Sequence, residues 1–150
     1  MKKLLIGLLI VFVVIFLAAK FVPLDPDERR PGLSLSGELA KEQNPNWSFL
    51  NKGRNKIWVQ MSTWYLLPHS ITTVSWVRDG QFYVPCGGCA EKNWPNHVER
   101  DNRVRLSVNG ELYDRRATRL VDEADIRAAL GLGPNQPMRK GVWVYRMDPR

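Results

Sequence analysis

The chain has 150 residues, 44% hydrophobic and 25% charged, and its 22 Lys and Arg against 15 Asp and Glu give a formal charge of +7. That length holds one domain; the hydrophobic content excludes a disordered chain, and two cysteines exclude a disulfide-rich scaffold. The basic balance favours anionic partners such as phosphate-bearing cofactors, nucleic acid or an anionic membrane surface, and it also describes an ordinary solvated surface.

Met1-Lys2-Lys3 precedes an uncharged apolar run over residues 4–19. Residues 4–22 would span about 28 Å as a helix, close to the roughly 30 Å hydrocarbon core of a bilayer. Lys20 lies near enough to the end to snorkel toward headgroups. A cleaved signal peptide shares the basic start and apolar core. Ala18-Ala19-Lys20 is a poor cleavage site, however, and the run is long for a removable segment. Residues 1–22 are therefore expected to be an uncleaved, single-pass membrane anchor. Lys2 and Lys3 argue for a cytoplasmic amino terminus, which puts the domain on the non-cytoplasmic side of the inner membrane in a bacterial source.

Residues 23–45 carry four prolines, two glycines and many charges with no sustained period, and read as a tether to a domain over 46–150. Strands are expected at 57–62, 71–77 and 81–85, the last two joined by a turn at Arg78-Asp79-Gly80. Residues 93–101 read as a short helix with Pro95 near its start. Asn109-Gly110 is the strongest hairpin signal, flanked by strands over 103–108 and 111–121. A two-residue loop there places Val108 opposite Glu111 and Arg105 opposite Asp114, with Val104, Leu106 and Val108 sharing a face with Tyr113. Asp122 opens a short helix that ends at Gly131 or Gly133, and residues 142–147 supply the last strand. Six short strands and two small helices joined by tight turns predict a mainly β domain, a barrel or tightly curled sheet.

Three groups of residues could carry chemistry. Cys86-Gly87-Gly88-Cys89 admits a local disulfide or two free thiols in a glycine-rich loop, a redox dithiol, or a zinc site drawing on His69 and His97. His69-Ser70-Ile71-Thr72-Thr73 offers hydroxyls and an imidazole suited to hydrogen-bonding a ring or phosphate. Threonines also simply favour strands. Alternation puts Ser70 and Thr72 on one face, with Ile71 and Thr73 on the other. Lys92, Arg100, Arg103 and Arg105 gather near Trp94, with Arg115, Arg116 and Arg119 beyond. Cations beside an aromatic suit phosphate and ring binding or single-stranded nucleic acid, but a charged, aggregation-resistant strand edge looks the same.

The order of these pieces resembles the flavin-binding split β-barrels, the family of pyridoxamine-phosphate oxidases and deazaflavin-dependent nitroreductases. The similarity runs through Ser70-Ile71-Thr72-Thr73-Val74, Asp79-Gly80, Phe82-Tyr83-Val84 and Lys92-Asn93-Trp94. It continues in Asp101-Asn102-Arg103-Val104-Arg105-Leu106 and the closing Val142-Trp143-Val144-Tyr145-Arg146-Met147-Asp148-Pro149. The resemblance implies a split barrel of about six antiparallel strands that forms a homodimer, with FMN or a deazaflavin at the subunit interface. It implies that Ser70, Thr72 and Thr73, beside His69, meet the ring edge or phosphate. The loop of Cys86, Gly87 and Gly88 would flank the phosphate, with Lys92 paired to it next to Trp94. The expected function is a membrane-anchored flavin-type oxidoreductase. The alternative is an anchored, non-catalytic binding module, which the lack of an arginine at Thr72-Thr73 favours. The anchor argues against a nucleic-acid partner.

Overall fold

The computed structural model describes residues 2–50 and 53–150. Helix α1 (Lys2–Phe21) buries none of its residues, and it is long and apolar enough to cross a membrane. The remaining elements are β1 (Glu38–Leu39), β2 (Asn55–Ser62), β3 (Pro68–Arg78), β4 (Gln81–Gly87), α2 (Trp94–Arg100), β5 (Arg103–Val108), β6 (Glu111–Arg119), α3 (Glu123–Leu130) and β7 (Val142–Pro149). Strands β2 to β7 form a closed six-stranded antiparallel barrel in the order β6-β5-β2-β3-β4-β7, with β7 paired back to β6. Each of these strands is hydrogen-bonded to two neighbours, so none is an edge strand along its whole length. The two-residue β1 runs parallel to the start of β6.

Period-2 alternation decides what enters the barrel. Ile57, Val59 and Met61 of β2, Phe82, Val84 and Cys86 of β4, and Val104, Leu106 and Val108 of β5 all join the core. Trp47, on a short 3-10 turn, packs on Phe82 and Tyr113 at ring distances of 4.7 and 4.9 Å. Outside the barrel, α3 covers a second apolar cluster of Trp76, Tyr83, Leu120 and Val144, and Trp76 Nε1 donates to Ala129 O at 2.8 Å.

The turns follow from residues that tolerate the left-handed region. Asn109 and Gly110 have φ of +51° and +88°. The resulting register pairs Val108 with Glu111 and Arg105 with Asp114, as the two-residue loop requires. Arg105 Nε meets Asp114 Oδ1 at 2.7 Å.

Two features depart from the sequence expectation. Arg115, placed there with the basic group around Trp94 as a binding or strand-edge charge, is 1% exposed. It occupies the inward register between Tyr113 and Ala117, and its guanidinium lies over the Trp47 and Tyr113 rings at 5.2 and 5.7 Å. Hydrogen bonds to Asp114 O and Gln43 O replace its lost water. The second feature is the segment read as a tether, which is bonded to the barrel along its length. Gly32 and Ser70 exchange two backbone hydrogen bonds of 2.8 and 3.0 Å. Leu35 N donates to Gln60 Oε1 at 2.7 Å, and Ala40 N to Leu112 O at 2.9 Å. Gln43 bridges Leu112 O and Asp114 N. Prolines break any side-chain period here, while the backbone still has donors and acceptors to pair.

Gly32 makes this docking fit. A methyl at that position would overlap Leu24 O and come within 2.6 Å of both Pro26 N and Ser70 Oγ. Gly32→Ala should therefore lower stability by about 1–3 kcal/mol, the usual cost of overpacking. Amide exchange followed by mass spectrometry should show residues 24–36 losing protection ahead of the barrel strands.

Candidate functional site

The site arises where two strands part. Strand β3 pairs with β2 from Pro68 to Ser75, whereas it pairs with β4 only at Trp76↔Tyr83, Val77↔Phe82 and Arg78↔Gln81. Beyond Trp76 the barrel wall opens on that side. The opening forms a cleft of about 460 Å³. His69, Ile71, Thr72 and Thr73 of β3 form one wall and Pro85 of β4 another. Lys92, Asn93 and Trp94 close its end, and Asp27, Glu28, Arg29, Arg30 and Pro31 form a roof.

The cleft gathers His69, Thr72, Thr73, Lys92 and Trp94 from the residues singled out in the sequence. Ser70 stays outside it. Its side chain is 0% exposed beneath Gly32, and its Oγ has no hydrogen-bond partner among the described residues. Cys86 is also elsewhere: it points into the barrel core and forms a disulfide with Cys89, itself buried. The pair is thus in the disulfide form, the state that a structural bridge and an oxidised dithiol share. Among the described residues no thiol is free and no three metal-ligating side chains come together. Gly87 and Gly88 lie exposed in the loop between the two cysteines, outside the cleft lining.

Sequence reasoning missed the roof of this site, and the ring contact by which His97 backs His69. Asp27 folds back as a local turn, its Oδ1 accepting from Arg29 N and Arg30 N at 2.6 Å each. These two bonds hold its carboxyl below the usual range. Thr72 Oγ1 donates to Asp27 O at 2.8 Å, which attaches the roof to β3. Lys56 Nζ meets Glu28 Oε1 at 2.7 Å across an exposed gap. The available signal was the run Asp27-Glu28-Arg29-Arg30-Pro31-Gly32, an acid able to bond its own backbone two residues on, followed by a glycine.

His97 projects from α2 with its ring 5.6 Å from that of His69 and 6.3 Å from Tyr65. Burial and the neighbouring His97 push the His69 imidazole below its ordinary value, and burial and Arg100 do the same to His97. Both rings are therefore neutral near pH 7, able to donate or accept hydrogen bonds without adding charge. The formal cations of the cleft are Lys92, Arg29 and Arg30. Arg30 has Asp27 at 3.6 Å, while Lys92 and Arg29 have no carboxylate within ion-pair distance among the described residues. Cation-lined and half-enclosed, the space can take an anion with an attached ring.

No family model and no curated protein matches the chain. Among solved structures, a proposed pyridoxamine 5'-phosphate oxidase from Listeria innocua aligns at 18% identity and a TM-score of 0.45, over 64% of this chain and 85% of that one. A conserved hypothetical protein from Mycobacterium tuberculosis aligns at 13% identity and a TM-score of 0.46, over 64% of this chain and 73% of its own.

The imidazoles give the domain a defined pH response. Their folded pKa values lie below the ordinary 6.5, so as pH falls the unfolded chain takes up protons first. Their stability contribution is complete above about pH 6.5 and is lost as pH falls toward the folded values. Asp27, Glu28 and Asp101 are also lowered, and their contributions fade only at more acid pH, below ordinary values of 3.8 to 4.5. Urea midpoints should therefore decline between about pH 7.5 and 5. The paired change His69→Gln with His97→Gln should flatten that decline, and an unaltered slope would remove the pair as its cause.

Proposed function

We propose that the chain is a membrane-anchored barrel protein that binds a flavin-class cofactor, FMN or a deazaflavin, in the cleft beside β3. The observation that carries this reading is the meeting of Lys92, Thr73 and His69 under the Arg29-Arg30 roof, around a space of small-molecule size. Lys92 would hold the phosphate through charge-assisted hydrogen bonds, with the roof arginines adding charge. His69 and Thr73 would bond the polar edge of the ring. A bound flavin supplies hydride chemistry, and the protein's part is to position and shield it. The reading includes α1 as the anchor, the domain on the non-cytoplasmic side, and a homodimer. The dimer follows from the family resemblance, in which two subunits complete the cofactor site.

A second reading, the anchored non-catalytic binding module, has its own support. Two hydroxyls expected to meet the cofactor are already engaged or covered, since Thr72 donates to Asp27 O and Ser70 is buried under Gly32. On that reading the cleft serves recognition alone.

The test starts with full-length protein purified in detergent without added cofactor, examined by absorption and mass analysis. Titration with FMN and with a deazaflavin follows. Tight, saturable binding of either supports the cofactor reading. Lys92→Ala should then weaken binding by roughly 10- to 150-fold, the equivalent of about 1.5–3 kcal/mol for a charged hydrogen bond. A colourless protein that binds neither would sink the oxidoreductase reading and leave the module standing.

A further inference from the structure

The loop between β2 and β3 bears three consecutive exposed side chains: Trp64 and Leu66 are 69% and 68% exposed, and Tyr65 is 40% exposed. Its shape holds them outward. Thr63 is buried, and its Oγ1 donates to Leu67 O at 2.6 Å, closing the loop at its base. Leu66 has φ of +66°, a conformation that branched side chains rarely adopt. Trp64 and Tyr65 meet edge to face at 5.5 Å, and Tyr65 is backed by His97. Burying these side chains against the barrel would have been the ordinary outcome of folding an apolar loop.

The end of α1 lies beside this loop. Lys20, Phe21, Leu66, Leu67, Arg100 and Arg103 line one hollow. Ser34 Oγ donates to Lys20 O at 2.8 Å, and Val22 N to Ala18 O at 2.8 Å, so the helix end is fastened to the segment that Gly32 bonds to β3. Little slack separates the span from the barrel. If α1 crosses a bilayer, the point where it emerges fixes the level of the lipid headgroups, and Trp64, Tyr65 and Leu66 share that neighbourhood.

We propose that the β2–β3 loop is a membrane-interface contact, with Trp64, Tyr65 and Leu66 seated at the headgroup level of the bilayer that α1 spans. The inference rests on the anchor reading given above. Its occupant is a phospholipid surface, because the patch is continuous with the apolar span and its chemistry is that of the interface. Trp and Tyr prefer the headgroup level, where one end of the ring is apolar and the other wet. Lys20 and Arg100 flank the loop with positive charge suited to lipid phosphates. The barrel then rests on the membrane instead of hanging from it on a flexible tether.

The experiment uses the full chain reconstituted into phosphatidylcholine–phosphatidylglycerol vesicles, with and without lipids brominated near the headgroup end of the acyl chains. Bromine quenches tryptophan on contact, and Trp64 is one of six tryptophans in the chain. Trp64→Phe should remove roughly half or more of the bromolipid-dependent quenching, whereas Trp58→Phe, a change on the barrel wall, should leave it in place. A carbonate wash of the same vesicles reads the anchor separately. Protein that resists the wash yet shows equal quenching in wild type and Trp64→Phe would overturn the loop contact and leave the anchor intact. Protein released by carbonate would overturn both.

Discussion

Two backbone hydrogen bonds between Gly32 and Ser70 set the layout of everything amino-terminal to the barrel. They hold residue 32 so close to Ser70 of β3, and to Leu24 and Pro26 of its own segment, that a side chain there would strike all three. From that contact the chain runs in two directions. Toward the amino terminus, Asp27 to Pro31 arch over the gap between β3 and β4, and the end of α1 is fastened at Lys20 O by Ser34, two residues past the contact. Toward the carboxyl terminus, Leu35, Ala40 and Gln43 follow β2 and β6, where Arg115 reaches out of the core to bond Gln43 O. A segment with almost no hydrophobic pattern is thus held by backbone pairing, a few side-chain amides and one buried guanidinium.

The electrostatics of the cleft follow from the same arrangement. The roof brings two acids and two arginines over β3, but the acids are occupied locally. Asp27 is bound by the amides of its own turn, and Glu28 by Lys56 on the neighbouring strand. These exposed pairs contribute little stability each. Their effect is on charge distribution, because Arg29 and Lys92 are left lining the cleft without a carboxylate partner among the described residues. The formal charges lining the cleft, three cations against two acids, sum to +1, a small part of the chain's +7. The bland description of a solvated basic surface still applies to Arg103, Arg119 and Arg127, each of which meets an acid at 2.7 or 2.8 Å.

What was readable in the sequence was what side-chain period and turn chemistry encode. Asn109-Gly110 carried its register because only residues at home with positive φ close a two-residue loop. The alternation of Phe82, Val84 and Cys86 held more than was taken from it, since the same period that sends Phe82 inward sends Cys86 there too, out of the cleft lining. Likewise, alternation correctly separated Ser70 and Thr72 from Ile71 and Thr73, yet gave no sign that a second layer would cover the outer face. That layer binds through main-chain atoms, which every sequence possesses equally. Arg115 was illegible for a related reason: a buried guanidinium needs a carbonyl and two aromatic faces, contributed here by residues distant in sequence such as Gln43 and Trp47.

Tyr65 joins the two regions of interest. It belongs to the exposed β2–β3 loop, and its ring faces His97, which faces His69 at the cleft wall. Burial keeps both imidazoles below their ordinary value, so near neutral pH neither carries charge. Lysine and arginine side chains, by contrast, are cations throughout that range. The division has a chemical consequence. On the proposed reading, attraction of an anion to the cleft would be set by Lys92 and the roof arginines, while His69 would discriminate among ligands by hydrogen-bond geometry. A phosphate alone would need only the cations. A neutral donor–acceptor ring beside them suits a ligand that has both a charged end and a polar aromatic edge.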